Sequence, residues 1–348
     1  MRVNPLTVKK IKRFREIKRG YWSFLILTTL LVLSLVAEVL INSKALVIKY
    51  EGDLYFPVFS DVYTGTEFGL SYSSEVNYRD LQQQFKADEN SGNFVILPLV
   101  PWNPYEQDFS GIGYPPTPPD ATAKHYLGTD IIGRDILARL VYGFRIAMSF
   151  ALFTMFISYG IGTAIGCVMG FFGGKFDLIS QRFIEIWSMV PFLYVIMILV
   201  SITQPTFFLF VLINVMFGWM GITWYMRTMT YKEAAREYVQ AAKALGASTG
   251  RIIFRHILPN TMVMIVTLAP FSIAANITAL TALDYLGLGL MPPTPSWGEL
   301  LQQGKSNLDS PWIVSSVVVA IVSVLVMVTF IGEAIRAAFD PKKYTRYN

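Results

Sequence analysis

The stretch EYVQAAKALGASTGRIIFRHILPN, residues 237–260, is polar but lies between two long apolar runs. Strong helix formers fill its first half, and Gly246 follows them with the left-handed conformation that ends helices. Ser248 is a candidate N-cap for a second helix, which Pro259 is expected to stop because proline cannot continue the hydrogen-bond ladder. The stretch predicts a helix-turn-helix outside the bilayer, with a surface of small residues that another protein can bind. The alternative is a loop helix that packs on its own chain.

The composition is typical of an integral membrane protein. The 348 residues are 53% hydrophobic and 15% charged, with a mean hydropathy of +0.45, whereas soluble domains carry about 25% charged residues. The single cysteine, Cys167, lies inside an apolar run, which excludes an intrachain disulfide and a thiolate metal cluster. The net charge of +5 comes mostly from the first twenty residues, so it does not indicate nucleic-acid binding.

Apolar runs and charge bias predict an all-α integral membrane protein with six transmembrane helices and an external insert after the first. The segment 1–20 holds eight lysines and arginines against one acid, which places it in the cytoplasm. The run 21–41 exceeds the ~7–15 apolar residues of a signal peptide, so it is predicted to be an uncleaved first span. The other spans are predicted at residues 146–172, 186–203, 206–226, 262–283 and 313–331.

The charges between these runs decide the topology. The segment 227–255 carries six basic and two acidic residues and is predicted to be cytoplasmic, as is the basic tail 336–348. Both termini are therefore expected in the cytoplasm. Pro191 is expected to kink the third span.

Residues 42–123 are predicted to form the external insert. Eleven acids against four basic residues between 42 and 120 fit the outer side of a membrane. The alternating YFPVF at 55–59 would fit a short strand. Residues 124–145 predict an interfacial amphipathic helix that Thr129 or Asp130 could cap.

Arg134, Asp135 and Arg139 lie off the apolar face of that predicted helix, so capping and snorkelling are their expected roles. Three glycines spaced by four, Gly162, Gly166 and Gly170, form one groove on the predicted second span. Small residues at this spacing allow membrane helices to pack closely, within the subunit in this case.

No pattern supports an enzyme, a metal site or a cofactor. The chain has no P-loop, and the predicted topology separates His125 from His256 by the membrane. An ion-coupled carrier would need ionisable residues near the midplane, whereas Glu38, Asp284 and Glu333 lie close to span ends. A membrane-anchored binding protein built on the insert would not explain five further spans.

The pattern AAxxxG, an apolar residue and LP within 237–260 resembles the cytoplasmic coupling loop of ABC-importer permeases, with Gln240 in place of the usual glutamate. Two further stretches, LGTDIIGRDILARLVYG at 127–143 and LGLGLMPPTPSWG at 286–298, resemble the dipeptide/oligopeptide/nickel group of these permeases. This resemblance covers roughly residues 125–340. Finer features resemble the Yej-type importers of oligopeptides and microcin C: RGYWS at 19–23, YEGDLYFP at 50–57 and GEAIRAAFDP at 332–341.

The resemblance implies a permease subunit in the bacterial inner membrane that moves oligopeptides, microcin C-like peptides among them, by alternating access. Its core would be residues 124–335, with the coupling loop at 227–260. The implied partners are a second homologous permease, two ATP-binding subunits or one fused ATPase, a periplasmic peptide-binding protein and membrane lipid. Nickel is an alternative cargo, and an ion-coupled secondary carrier is the alternative mechanism.

Under this resemblance the loop residues would couple the permease to the ATPases. The docking surface would be Ala241, Ala242, Leu245 and Gly246, and the charged flank would include Arg251 and Arg255. The full set expected to take part in coupling is Tyr238, Gln240, Ala241, Ala242, Leu245, Gly246, Ser248, Arg251, His256 and Pro259.

Overall fold

The computed structural model describes residues 5–60, 62–87, 92–109 and 114–339, with side chains from Val8 onward. The chain divides into two compact units. The loop unit consists of Met1–Thr28, Ala147–Met291 and Ser323–Asn348. The insert unit consists of Thr29–Ile146 and Pro292–Val322.

Within the described residues, four helices are long and apolar enough to cross a membrane. They are Ile136–Phe172, Phe207–Ala234, Thr249–Tyr285 and Pro311–Phe339. The shortest has 28 residues, about 42 Å at the rise of an α-helix, which exceeds the ~30 Å hydrocarbon core of a bilayer. The prediction of a multi-pass helical membrane protein is therefore confirmed.

A bent pair of helices, Gly174–Ser188 and Phe192–Ile202, would make a fifth span. The two helices meet at 61°, and Pro191 occupies the N-cap of the second one. The expected kink at Pro191 is confirmed, and it is a complete break between two helices. Proline cannot donate the backbone hydrogen bond that would continue the first helix.

The predicted first span is not among these helices, although its helix Lys18–Leu35 has 18 residues. The helix Lys18–Leu35 begins inside the basic segment, so that its first turn carries Lys18 and Arg19. A turn at Val36 separates it from the short helix Ala37–Leu40. The count of six spans therefore stays a prediction.

The interfacial helix predicted at 124–145 is wrong over its first half. Residues 124–135 contain turns and bridges, and the long helix begins at Ile136. Asp135 caps this helix, because its Oδ1 accepts a hydrogen bond from the Ala138 amide at 2.7 Å. The proposed caps Thr129 and Asp130 lie further upstream in the turns.

The insert contains a small antiparallel sheet, so the prediction of an all-α chain is wrong for this part. Three strands, Val47–Tyr50, Asp53–Tyr55 and Phe94–Ile96, pair with the first in the middle. Ile48 and Val95 pack with Leu81 of the helix Tyr78–Ala87. The strand expected at 55–59 is wrong beyond Tyr55, where the observed strand ends. Pro57 has no N–H to donate to a neighbouring strand and begins a turn.

Short helices complete the described part of the chain. They are Pro5–Glu16, the 3-10 helix Gly65–Phe68, Glu237–Ala244 and Trp297–Ser306.

Candidate functional site

The turn at Gly246 joins two helices as its local sequence predicts. Gly246 has φ +76°, in the left-handed region, and the amide of Ala247 donates to the Ala242 carbonyl at 3.0 Å. These features close the C-terminus of Glu237–Ala244. Ser248 is the N-cap of the next helix, where its Oγ accepts from the Arg251 amide at 3.4 Å.

The second helix does not stop at Pro259, so that expectation is wrong. The helix runs without interruption from Thr249 to Tyr285, with a π-helical turn at Ile253–Ile257. Pro259 is the second residue of the α-helical segment that follows this turn, and the wider π-helical turn accommodates a residue that has no N–H to donate. The backbone of the loop therefore continues directly into a 37-residue membrane helix.

One face of the helix-turn-helix packs on its own chain. Val239, Ile252 and Ile257 are each at most 1% exposed and form a core with Ala234. Phe171 contributes to this core, and the Lys243 ammonium lies 4.7 Å from the centre of its ring. The alternative prediction, a loop helix that packs on its own chain, therefore holds for this face.

Apolar residues at the turn and on both helices of the loop are exposed. Leu245 is 88% exposed and Phe254 is 72% exposed, on either side of the glycine turn. Ala241 and Gly246 are also exposed, and a Cβ on Gly246 would meet nothing within 4 Å. Exposed apolar patches of this kind mark interaction sites on proteins. We call Ala241, Leu245, Gly246 and Phe254 the loop face.

The remaining expected site residues surround the loop face or lie beneath it. Arg251 and Arg255 are exposed and provide positive charge, whereas Ala242 is half-buried against the core. Gln240 points back to its own chain, where its Nε2 donates to the Ala234 carbonyl at 2.8 Å. Gln240 therefore holds the first helix in place through a neutral hydrogen bond.

Tyr238 braces the two helices of the loop. Its hydroxyl donates to Glu233 Oε2 at 2.5 Å and accepts from Asn260 Nδ2 at 3.0 Å. Asn260 Nδ2 also donates to the carbonyl of His256 at 2.9 Å, so His256 takes part through its backbone. Partial burial and the hydrogen bond to Glu233 raise the pKa of Tyr238. The sequence reasoning missed Glu233 and Asn260, since only the fold brings them to Tyr238.

The glycine groove lies against the helix Phe207–Ala234. A Cβ on Gly166 would lie 2.6 Å from the Thr223 carbonyl oxygen and 2.8 Å from the Met226 Cβ. Gly162 and Gly170 approach the same helix as closely, one turn to either side. In this arrangement the three glycines let two long helices touch backbone to backbone.

A second polar cluster, in the insert unit, lies where sequence reasoning expected only capping and snorkelling. Asp130, Arg134 and Arg139 are at most 2% exposed, and both arginines pair with Glu299 of the helix Trp297–Ser306. Arg134 also pairs with Asp130 at 2.6 Å. We call Asp130, Arg134, Arg139 and Glu299 the buried ion network, which has two positive and two negative charges.

Further contacts fix the surroundings of this network. The Arg139 guanidinium donates to the Pro104 carbonyl at 3.0 Å. Trp297 Nε1 donates to the Leu140 carbonyl, also at 3.0 Å. His125 lies between two carboxylates, 2.8 Å from Asp135 and 3.2 Å from Asp108. Most of these groups are hydrogen-bonded within the chain, whereas Arg139 Nε has no hydrogen-bond partner among the described residues and lies 3.7 Å from Asp130 Oδ2. The cluster therefore ties distant segments of the insert unit together.

Comparison with known proteins places this arrangement among transport proteins. The family described as binding-protein-dependent transport system inner membrane component matches residues 162–344. The inner membrane ABC transporter permease protein YejE of Escherichia coli is 41% identical over 98% of this chain and 99% of its own length. The peptidoglycan transport system permease protein YejE of Agrobacterium fabrum is 37% identical, over 99% and 95%. The oligopeptide transport system permease protein OppC of Haemophilus influenzae is 33% identical, over 71% and 80%.

Proposed function

The chain belongs to the family of binding-protein-dependent transport system inner membrane components, and from this premise we propose that it is the permease subunit of an ATP-binding-cassette importer for oligopeptides. The observation that carries the proposal is 41% identity over nearly the whole length of an ABC transporter permease. The cargo class follows the names of the relatives, which refer to oligopeptides and peptidoglycan. Microcin C-like peptides are one cargo of this class.

We propose six spans with both termini in the cytoplasm. The four long helices and the bent pair supply five crossings. The helix Lys18–Leu35 would supply the sixth, completed by Ala37–Leu40. An even number of crossings agrees with basic residues at both ends of the chain and with an acidic insert. The helix-turn-helix then lies in the cytoplasm and the insert on the outer side of the inner membrane.

The loop face is the proposed docking surface for the ATP-binding subunits. Leu245 and Phe254 offer apolar area that a cleft on a partner can bury, and Arg251 and Arg255 can orient the contact. Two ATP-binding subunits, or one fused ATPase, would grip this loop and that of a second homologous permease. A periplasmic peptide-binding protein would deliver cargo on the outer side. Hydrolysis belongs to the ATP-binding partners.

The continuous helix Thr249–Tyr285 supports this coupling mechanically. At about 1.5 Å per residue its 37 residues span about 55 Å, enough to cross the bilayer from the loop. Because the Ile253–Ile257 turn keeps the helix unbroken at Pro259, a displacement of the loop moves the span with it. ATP binding can therefore shift the bundle between inward-open and outward-open states as semi-rigid bodies.

Substitution of Gly246 by Asp tests the proposal. We expect Gly246→Asp to abolish peptide uptake at normal membrane levels, because it places bulk and negative charge at the exposed turn next to Leu245. The measurement is ATP-dependent uptake of a labelled oligopeptide by proteoliposomes holding the whole importer, with the amount of inserted protein quantified separately.

Two controls separate bulk and charge from backbone strain. Gly250→Asp adds the same side chain in the same loop, where a Cβ also meets nothing within 4 Å, and Gly287→Asp adds it at another exposed glycine with a positive φ of +72°. Normal uptake by Gly246→Asp would contradict the docking role of the loop face. Uptake without any ATP-binding subunit would contradict the transporter class itself.

A further inference from the structure

The first helix, Pro5–Glu16, separates apolar from basic side chains. Val8, Ile11 and Phe14 recur every three residues and form one row along the helix. Lys9, Lys10, Lys12 and Arg13 occupy the rest of its surface, with Glu16 as its one acid. Arg15 follows Ile11 by four residues and lies on the face of the apolar row. A basic N-terminus alone is explained by the orientation of the first span in the membrane. That explanation does not require an apolar row.

The apolar row is anchored at one end and open at the other. The Phe14 ring meets the edge of Phe24, on the helix Lys18–Leu35, at a centroid distance of 6.0 Å. Val8 and Ile11 are 52% and 49% exposed. Phe24 and Ile26 are exposed as well, on the apolar helix that follows. The row therefore extends an apolar surface that is suited to lipid beyond the end of that helix.

Exposed cations lie along this row. Lys9, Lys12 and Arg15 are exposed. Neighbouring cations are held by the chain, since Lys10 lies 4.4 Å from the centre of the Phe339 ring and Arg19 pairs with Glu333 at 2.8 Å. Apolar side chains flanked by exposed cations match the boundary between acyl chains and anionic headgroups.

We propose that the helix Pro5–Glu16 lies along the bilayer surface and binds anionic phospholipid headgroups. Val8 and Ile11 enter the interface, and Lys9, Lys12 and Arg15 contact lipid phosphates. The assignment to the cytoplasmic leaflet rests on the proposed topology of the permease, whereas the binding chemistry does not. An acidic face of an ATP-binding subunit is the competing occupant.

The first experiment measures where Val8 lies. The full chain, with Cys167→Ser and Val8→Cys, carries an environment-sensitive fluorophore and is reconstituted without partners into nanodiscs. The discs contain phosphatidylcholine alone or mixed with phosphatidylglycerol, together with a nitroxide-labelled lipid. We expect strong quenching in the phosphatidylglycerol discs, and weaker quenching when salt screens the cations. A fluorophore on Tyr114→Cys, in the insert and 95% exposed, is expected to stay unquenched.

The second experiment removes the cations. We expect Lys9→Gln, Lys12→Gln and Arg15→Gln together to lower the phosphatidylglycerol retained by the purified protein about tenfold or more, because each cation near an anionic surface contributes to binding. Loss of three insert lysines, Lys49→Gln, Lys86→Gln and Lys124→Gln, removes the same charge elsewhere and should leave retention unchanged.

Each outcome decides the proposal. An unquenched Val8 fluorophore, or equal lipid retention by both triple variants, overturns it. A fluorophore shielded only after ATP-binding subunits are added shows a protein occupant and overturns it too. Nanodiscs have the same lipids on both faces, so an error in the proposed topology does not change these results. That topology is tested by labelling Val8→Cys from one side of sealed vesicles.

Discussion

The loop face and the buried ion network differ in their exposure to solvent. The network holds three buried charged side chains and the partly buried Glu299, which pairs with both arginines across about 160 residues of sequence separation. The loop leaves Leu245 and Phe254, two large apolar side chains, in the open. A buried charge is costly unless it is paired, and an exposed apolar face is costly unless it is covered. The network is therefore paired within one chain, whereas we propose that a partner covers the loop.

Changes in these two regions are therefore expected to affect different properties: stability for the network and transport for the loop face. A change in the network acts on the folded chain itself, because the partner of each removed charge stays buried without compensation. A change of the Leu245 or Phe254 side chain is expected to act on assembly, because these side chains are 88% and 72% exposed. The glycine groove lies between these extremes, since it packs two helices of one chain.

The largest effect on folding is expected at the buried ion network. We expect Arg139→Met to destabilise the chain by about 3–5 kcal/mol, because Glu299 and Asp130 would lose one of their two cations. The measurement is thermal unfolding of the purified protein in detergent, together with its level in the membrane. The exposed pair Arg182 and Glu185 is the control, and Arg182→Gln should cost less than about 1 kcal/mol.

The double variant Arg139→Met with Glu299→Gln sharpens this result. It removes one charge of each sign, so it should be more stable than Arg139→Met alone. If both variants unfold like the wild-type protein, the network does not hold the insert unit together.

A smaller effect on folding is expected in the glycine groove. We expect Gly166→Leu to destabilise the packing by about 1–3 kcal/mol, since its side chain would overlap the backbone at Thr223. Gly160→Leu is the matched control on the same helix, because a Cβ there meets nothing within 4 Å. The readout is again thermal unfolding in detergent. Equal stability of the two variants would show that the helices are not in contact at Gly166.

The smallest effect on folding is expected on the loop face. Leu245→Ser should change the stability of the isolated chain by no more than about 0.5 kcal/mol, because the side chain is exposed. It should nevertheless weaken binding to the ATP-binding subunits by about tenfold or more, as truncation of a central apolar contact does. Co-purification and binding titrations measure the second effect. A Leu245→Ser chain that unfolds readily but still assembles would reverse the comparison between the two regions.

Local rules were sufficient for the loop. Gly246 adopts a left-handed conformation and Ser248 caps a helix because each depends on neighbours within a few residues. The kink at Pro191 follows from the missing N–H of proline in the same way. The same rule gave a wrong prediction at Pro259, where the helix was expected to end. A π-helical turn just before Pro259 allows the helix to continue.

The sequence alone did not predict which residues pair when they are distant in the chain. Arg134 and Arg139 read as interfacial residues because Glu299, the carboxylate that compensates them, is distant in the chain. The strands of the insert were not predicted for a related reason, apart from the expected strand at 55–59, which overlaps the observed strand Asp53–Tyr55 only at Tyr55. Each is three or four residues long and is defined by its pairing with another strand.

By itself, the amino-acid sequence determined the membrane class, the glycine turn of the loop and its helix cap, since apolar length, charge bias and turn chemistry act over short distances along the chain. Only the tertiary structure decided which charges are buried, how the loop joins its membrane helix and which face of the loop stays open. Those features depend on groups that meet only when distant segments pack, and burial of a charge or of an apolar face is a property of the packed chain.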